Sequence, residues 1–238
     1  ARMGVCTGEK ERGMGAVLTG NRNIEYWNED CMIGMARYPD KWFDLAITDP
    51  PYGGDDAIGV QDGNTHVAKR TDYKLFENVA PPPEYFEELF RVSKHQIIWG
   101  ANHYKNVNLA GGRLVWDKKG TVFGRAEEAY LSMTNSVNIV EIVWNGMLQH
   151  DMKNKEYRIH PTQKPVALYR WLLANYAKPG DLILDTHVGS ASSLIACHDL
   201  GFSAVGFEID EEYYRISRER LENHMKQIRI EDLLCNQN

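Results

Sequence analysis

From Asn23 onward, short apolar runs alternate with amphipathic stretches. Residues 24–27 read as a short strand. Asp30 then precedes a helical stretch over 31–38, with Met32, Ile33 and Met35 for burial, and Pro39-Asp40 ends it. The run 43–48 (FDLAIT) is a strand stopped by Asp49-Pro50-Pro51. Proline removes ladder donors and fixes φ, so the chain leaves the sheet there, at the carboxyl end of a strand. Pro81-Pro82-Pro83 opens a helix that places Tyr85, Phe86, Leu89, Phe90 and Val92 on one face. Residues 95–100 (HQIIWG) are the next buried strand. Three β-rich stretches, 113–117, 128–133 and 137–144, predict an antiparallel part of the sheet. A helix over 167–176, a strand over 182–185, a helix over 192–200 capped by Gly201, a strand over 204–209 and a charged helix over 211–228 complete the pattern. This alternation predicts an α/β fold: a doubly wound, mostly parallel sheet with an antiparallel part. Residues 1–22 show no period and are expected to form a flexible arm, and 23–238 a single domain. Residues 53–64 are Gly- and Asp-rich and open a loop expected to be flexible and to run to about Tyr73.

Composition narrows the class. The chain has 238 residues, 43% hydrophobic and 25% charged, enough for one ordinary core without disulfides. Cys6, Cys31, Cys197 and Cys235 form no CxxC pair, which argues against a zinc site and a secreted disulfide scaffold. No apolar run is long enough to span a membrane, and no signal-peptide stretch follows the N-terminal charges. The expected compartment is a reducing cytoplasm. A net charge of −6 disfavours a surface that grips nucleic acid all over. Lys69, Arg70 and Lys74, then Arg113, Lys118, Lys119 and Arg125, then Lys153, Lys155 and Arg158 form local basic clusters. These read either as solvated charges or as phosphate contacts.

Two segments carry candidate chemistry. Residues 185–193 (DTHVGSASS) join a strand to a helix through small side chains, so a ligand can approach backbone N–H groups at the helix start. Glu208 ends the next strand, where an acidic side chain can accept two ribose hydroxyls. No GxGxxG is present, which counts against a dinucleotide. Asp49-Pro50-Pro51-Tyr52 is the more specific signal. An exocyclic amino group on a nucleobase is a poor nucleophile because its lone pair is delocalised into the ring. Two fixed acceptors can orient its two N–H bonds: the Asp49 carboxylate and the Pro50 carbonyl, held rigid by Pro51. Tyr52 offers a face on which a base can stack for about 1–3 kcal/mol. Fixed acceptors also stabilise positive charge that develops on the nitrogen.

With these motifs in this order, the chain resembles the permuted, β-group DNA amino-methyltransferases. There a (D/N/S)PP(Y/F) element precedes the cofactor-binding half. His160-Pro161-Thr162-Gln163-Lys164-Pro165 matches a motif placed just before the cofactor strand in that group. The resemblance covers most of residues 23–225. It implies a Rossmann-like fold, S-adenosylmethionine as cofactor and double-stranded DNA as substrate. It places the chain in a bacterial or phage-encoded restriction-modification setting, in the cytoplasm. It further implies that Asp49, Pro50 and Tyr52 hold a flipped base, with Asp49 also close to the cofactor. Asp185, Gly189, Ser190 and Ser192 shape the methionine pocket, and Glu208 takes the ribose. Thr162 and Lys164 lie near the cofactor carboxylate, and Asp30 and Cys31 lie near its adenine. His160 is expected to anchor its loop.

Thr186-His187 stands where that group commonly has Pro-Phe, and His187 is expected to pack as Phe would. Ala191 stands where a glycine is expected; a need for φ > 0 there would strain a methyl-bearing residue. The Asp form of the tetrapeptide points to N6 of adenine, with N4 of cytosine as the alternative. A catalytically weak cofactor- or DNA-binding subunit, and an RNA or protein amino-methyltransferase, are the other readings. Lys118, Lys119, Arg125, Lys153, Lys155 and Arg158 are the candidate DNA contacts. Target-recognition loops are expected at about 53–74, 117–125 and 144–158. The chain leaves little room for a separate recognition domain, which fits a short site or a homodimer. No metal is expected.

Overall fold

The computed structural model describes residues 16–19, 22–53, 78–120, 124–145 and 148–227. Residues 1–15 of the expected arm and 54–73 of the expected loop lie outside the described residues. The strands are β1 (Ala16–Thr19), β2 (Arg22–Asn28), β3 (Phe43–Thr48), β4 (Ser93–Trp99), β5 (Gly112–Asp117), β6 (Ala126–Leu131), β7 (Val137–Glu141), β8 (Trp144–Asn145), β9 (Leu148–Gln149), β10 (Leu182–Asp185) and β11 (Ser203–Glu208). The helices are α1 (Cys31–Met35), α2 (Pro83–Val92), α3 (Val166–Tyr176), α4 (Ser192–Leu200) and α5 (Glu211–Met225).

Among the described residues, nine strands form one sheet in the order β1-β2-β11-β10-β3-β4-β6-β5-β7. The five central strands, β2, β11, β10, β3 and β4, run parallel. From β10 the chain crosses through α4 to β11 on one side. From β3 it reaches β4, through α2, on the other side. The winding therefore reverses between β10 and β3, which is where open α/β sheets bind ligands.

Side chains alternate along the central strands between two cores. Leu45, Ile47, Ile97, Trp99 and Ile183 pack with α3, α4 and α5. Ala46, Ile98 and Leu184 pack with Met35 of α1 and with Tyr85, Phe86 and Leu89 of α2, joined out of phase by Phe43 at the start of β3. This period-2 division explains why these strands read as continuous apolar runs: both faces are covered.

Three expectations are corrected. Residues 16–19 of the expected arm pair antiparallel with β2, so they are an edge of the sheet. The 113–144 region is only partly antiparallel. β6 runs antiparallel to both β4 and β5, but β7 runs parallel to β5. Residues 144–145 leave that sheet to form a small hairpin with β9. The helix expected over 31–38 stops at Met35, with Ala36, Arg37 and Tyr38 continuing as turns.

Gly34 shows how tightly α1 seats on the sheet. A Cβ at that position would come within 2.4 Å of the Phe207 ring. Phe207 is fully buried one residue before Glu208. Gly34→Ala is expected to destabilise the fold by about 1–3 kcal/mol through overpacking. Urea unfolding measures this; an unchanged midpoint would show that α1 yields freely.

Candidate active site

The parallel strands end at one edge, and neighbouring strands are about 4.8 Å apart, so five strand ends span roughly 20 Å. Along that edge lie, in order, Asp30 after β2, Glu208 of β11, Asp185 of β10, Asp49 after β3 and Gly100 after β4.

At the first two ends, Asp30 caps α1 by accepting from the Met32 N–H at 2.8 Å. Cys31 follows it, its thiol pushed up to about 12 by burial and then by Asp30. Glu208 accepts from the Gly189 N–H at 2.8 Å and the Asp210 N–H at 2.9 Å. Burial raises its carboxyl above the ordinary range, and those N–H groups oppose the rise. Asp185 is buried at the end of β10. It accepts from the His187 N–H at 3.0 Å and from the Ser193 hydroxyl. Burial outweighs both hydrogen bonds and pushes its carboxyl up to about 7.

The loop after β10 departs from the resembled pattern in three residues, and the structure gives each a reason. The Thr186 hydroxyl lies 2.5 Å from that of Thr48 and 2.6 Å from that of Tyr85, tying β10, β3 and α2 beneath the edge. His187 packs edge-on to Tyr85 at 5.4 Å, as a phenyl ring would, and burial pushes its imidazole down to about 4. Ala191 takes φ 62°, so the position does need the left-handed region. Its methyl is buried in the core shared with Leu194 and Ile195. Ser190 and Ser192 are also buried. Their hydroxyls lie 3.0 Å apart, and Arg220 donates to the Ser190 carbonyl and the Ser192 hydroxyl. Arg220 in turn pairs with Glu156, which caps α3 at the Val166 N–H.

The 160–165 loop is locked in place. His160 packs against Tyr213 at 4.3 Å, and burial, then Lys164, push its imidazole down to about 4. Loop anchoring is the role expected of it, and this packing is compatible with that role. Thr162 is exposed, 3.1 Å from the His160 ring nitrogen. The Gln163 carbonyl accepts from the Trp144 indole and its side chain from the Ile159 N–H.

Lys164 reaches the tetrapeptide. Its Nζ lies 2.5 Å from Asp49 Oδ2, 2.9 Å from Glu127 Oε2 and 3.1 Å from the Tyr52 hydroxyl, with the side chain only 3% exposed. Tyr52 donates to Asp49 Oδ1 at 2.7 Å. Burial, helped by Glu127 and opposed by Lys164, leaves the Asp49 carboxyl above its ordinary range. Burial also acts on Glu127, but Lys164 and then Lys118 outweigh it and hold that carboxyl down at about 2. The Pro50 carbonyl accepts from the buried Tyr104 hydroxyl at 2.9 Å. His103 stacks on one face of Tyr52 at 4.8 Å, so a base stacking on this ring takes the other face or displaces His103.

Glu127, His103, Tyr104 and Gly100 escape the sequence reading. Glu127 carries a usable signal. It shares the period-2 face of Ala129 and Leu131, both fully buried, so a carboxylate there needs a partner. Gly100 takes φ 72°, and a Cβ there would lie 2.2 Å from the Tyr52 ring.

The six candidate DNA contacts divide. Arg125, Lys153 and Lys155 are exposed. Lys119 is exposed but pairs with Glu141 and Asp117. Lys118 turns inward to Glu127, and Arg158 lies over the Trp144 ring at 4.5 Å. Among the described residues, no helix is long and apolar enough to cross a membrane.

An open, mostly parallel α/β sheet with a carboxylate–proline element and an acidic strand end at its switch point defines the class: a Rossmann-like nucleoside-binding fold. The DNA methylase family of N6/N4 enzymes matches residues 86–219, more than half the chain, and the chain belongs to that family. It is 29% identical over 211 residues to YubD of Escherichia coli (strain K12), whose name calls it a methylase; the match covers 81% of this chain and 87% of YubD. It is 27% identical over 161 residues to the type II methyltransferase M2.DpnII of Streptococcus pneumoniae, covering 63% of this chain and 52% of that protein. The chain thus spans about half the length of M2.DpnII. The PvuII DNA methyltransferase, cytosine-N4-specific, shares the fold with a TM-score of 0.55 at 13% identity, over 85% of this chain and 91% of that one.

Two outcomes follow from the site's packing. Gly100→Ala is expected to cost about 1–3 kcal/mol through left-handed strain and to turn Tyr52 off Asp49; calorimetry and a structure of the variant check it. His187 is neutral in the fold, whereas the unfolded chain takes up a proton below about pH 6.5. Its stabilisation is therefore full above that pH and lost as pH falls toward 4. Urea unfolding of wild type and His187→Phe is expected to show their difference in stability change by up to roughly 3 kcal/mol between pH 7 and 4, against the wild type.

Proposed function

We propose that this chain transfers a methyl group from S-adenosylmethionine to the exocyclic N6 amino group of adenine in double-stranded DNA. One observation carries the reading. The carboxylates suited to a nucleoside, Glu208 and Asp185, stand at adjacent strand ends beside the acceptor pair suited to an amino group, Asp49 and the Pro50 carbonyl.

The residues fit the cofactor. Glu208 has its carboxylate fixed by two backbone N–H groups, which leaves lone pairs for ribose hydroxyls. Asp30 and Cys31 lie at the next strand end for the adenine, and Asp185 and Gly189 border the methionine part. Thr162 is exposed and contacts His160, whose ring lies 3.6 Å from where a Cβ on Gly189 would stand. Ser190 and Ser192 act there through loop shape, because Arg220 holds both. Bound at this edge, S-adenosylmethionine supplies an electrophilic methyl group carried on a sulfonium.

The protein's part is to bring out and orient the base. Extruding it from the stack costs a few kcal/mol. Tyr52 offers a ring face for stacking, and Asp49 and the Pro50 carbonyl accept the two amino N–H bonds. The nitrogen lone pair is then directed away from both acceptors. Tyr104 keeps the Pro50 carbonyl aimed, and Pro51 limits its backbone. As the nitrogen gains charge, Asp49 stabilises it, and the released proton passes to that carboxylate and on to water. Arg125, Lys153 and Lys155 are the exposed cations available for phosphates.

Cytosine poses the same geometry at N4, so the products decide. Methylation of duplex oligonucleotides followed by nucleoside mass spectrometry is expected to yield N6-methyladenine. N4-methylcytosine alone would overturn the base assignment, and no methylated base on any DNA would overturn the reaction. Asp49→Asn is expected to lower kcat on the order of a hundredfold or more. Calorimetric S-adenosylmethionine affinity should stay within a few-fold; loss of that affinity would instead make Asp49 a cofactor ligand first.

A further inference from the structure

Asp49 meets the edge with both oxygens engaged, Oδ1 by Tyr52 and Oδ2 by Lys164. A carboxylate in contact with an ammonium forms a pair with no net charge. Such a pair offers little to a nitrogen that is becoming positive. Glu127 changes that balance. It reaches the same Lys164 Nζ at 2.9 Å and the Tyr52 hydroxyl at 3.3 Å. Asp49 and Glu127 stand with Lys164 and Lys118, two carboxylates for two ammoniums, and of these two ammoniums it is Lys164 that contacts Asp49. Lys118 approaches Glu127 on its other oxygen, from the more open side.

The fold explains how Glu127 arrives there. β6 runs antiparallel to β4, so the start of β6 lies where β4 ends. The Gly100 N–H donates to the Glu128 carbonyl at 2.8 Å and fixes that register. Trp99 closes the site, with Lys164 Nζ 5.2 Å from its ring. The ammonium thus has two carboxylates within reach and aromatic walls around it.

We propose that Glu127 is a positioning residue, which draws the Lys164 ammonium to itself when a base enters and leaves Asp49 Oδ2 to accept the amino hydrogen. This rests on the amino-methyltransferase reading above. Glu127 keeps the lysine within the site without letting it neutralise the carboxylate that touches the substrate.

Glu127→Gln tests it, because glutamine keeps the shape and an acceptor but removes the charge. Turnover is expected to fall on the order of tenfold or more, with S-adenosylmethionine and DNA affinities within twofold. The acid limb of the kcat profile gives a second readout. Asp49 is faced by Lys164, Glu127 and Tyr52, and its charge is felt by Tyr104, Tyr169 and Asp185. Of these charges, Glu127 raises its carboxyl and Lys164 lowers it. Without the Glu127 charge that carboxyl falls, so the acid limb moves to lower pH. Glu127→Asp is expected to recover part of kcat and the wild-type limb. Unchanged kcat, or a lower unfolding midpoint with an unmoved limb, would overturn the proposal. If the wild type methylates no DNA, the functional reading fails, and NMR titration of the Asp49 carboxyl in wild type and Glu127→Gln decides the pairing. A lower value in the variant supports the pairing, and an equal value overturns it.

Discussion

A buried ammonium is the constraint around which this edge is organised. Taking a lysine charge out of water costs several kcal/mol, recovered only by close, well-aligned opposite charge. Lys164, 3% exposed, is therefore bound to have partners, and it has two carboxylates and a hydroxyl. They come from two parts of the sheet: Asp49 and Tyr52 from the end of β3, Glu127 from the start of β6. The lysine fixes the 160–165 loop to both. It joins the parallel half of the sheet to the antiparallel half at the place where the base is proposed to sit.

A second knot lies one layer beneath. Thr48, Thr186 and Tyr85 share hydroxyl contacts of 2.5 to 3.1 Å. They bind the last residue of β3 to the first residue after β10. This contact crosses the switch point itself, so it sets the distance between the amino-binding element and the cofactor loop. Proline at position 186 would supply no hydroxyl. Replacement of the usual residue by threonine is thus part of how this chain aligns its two half-sites.

The sequence made most of the fold legible where periodicity was strong. β3, β10 and α4 fall at their expected bounds because Pro, Gly and apolar runs mark their ends. The 113–144 region was harder. Alternation reveals a strand but not its direction, so the parallel pairing of β7 with β5 could not be read from it. The site was half legible. Motifs found Asp49, Lys164, Asp185 and Glu208, because rigid or small neighbours flag them. Glu127, His103 and Tyr104 lie on elements that look ordinary alone; only strand order brings them to Asp49. The basic clusters misled in the opposite way. Lys118 and Arg158 are candidate DNA contacts by sequence, yet one pairs with Glu127 and the other lies over the Trp144 ring.

Ala191 shows why a motif departure is not by itself a lost function. The left-handed conformation at φ 62° costs a non-glycine residue about 1–2 kcal/mol. The same methyl sits fully buried against Leu194 and Ile195, and burying a group of that size returns roughly 0.8 kcal/mol. The alanine also narrows the unfolded ensemble relative to glycine, by about 0.4–1 kcal/mol. The two gains come close to the strain. The backbone turn that presents Gly189 and its N–H to Glu208 is therefore kept without the glycine, and the methyl points into the core.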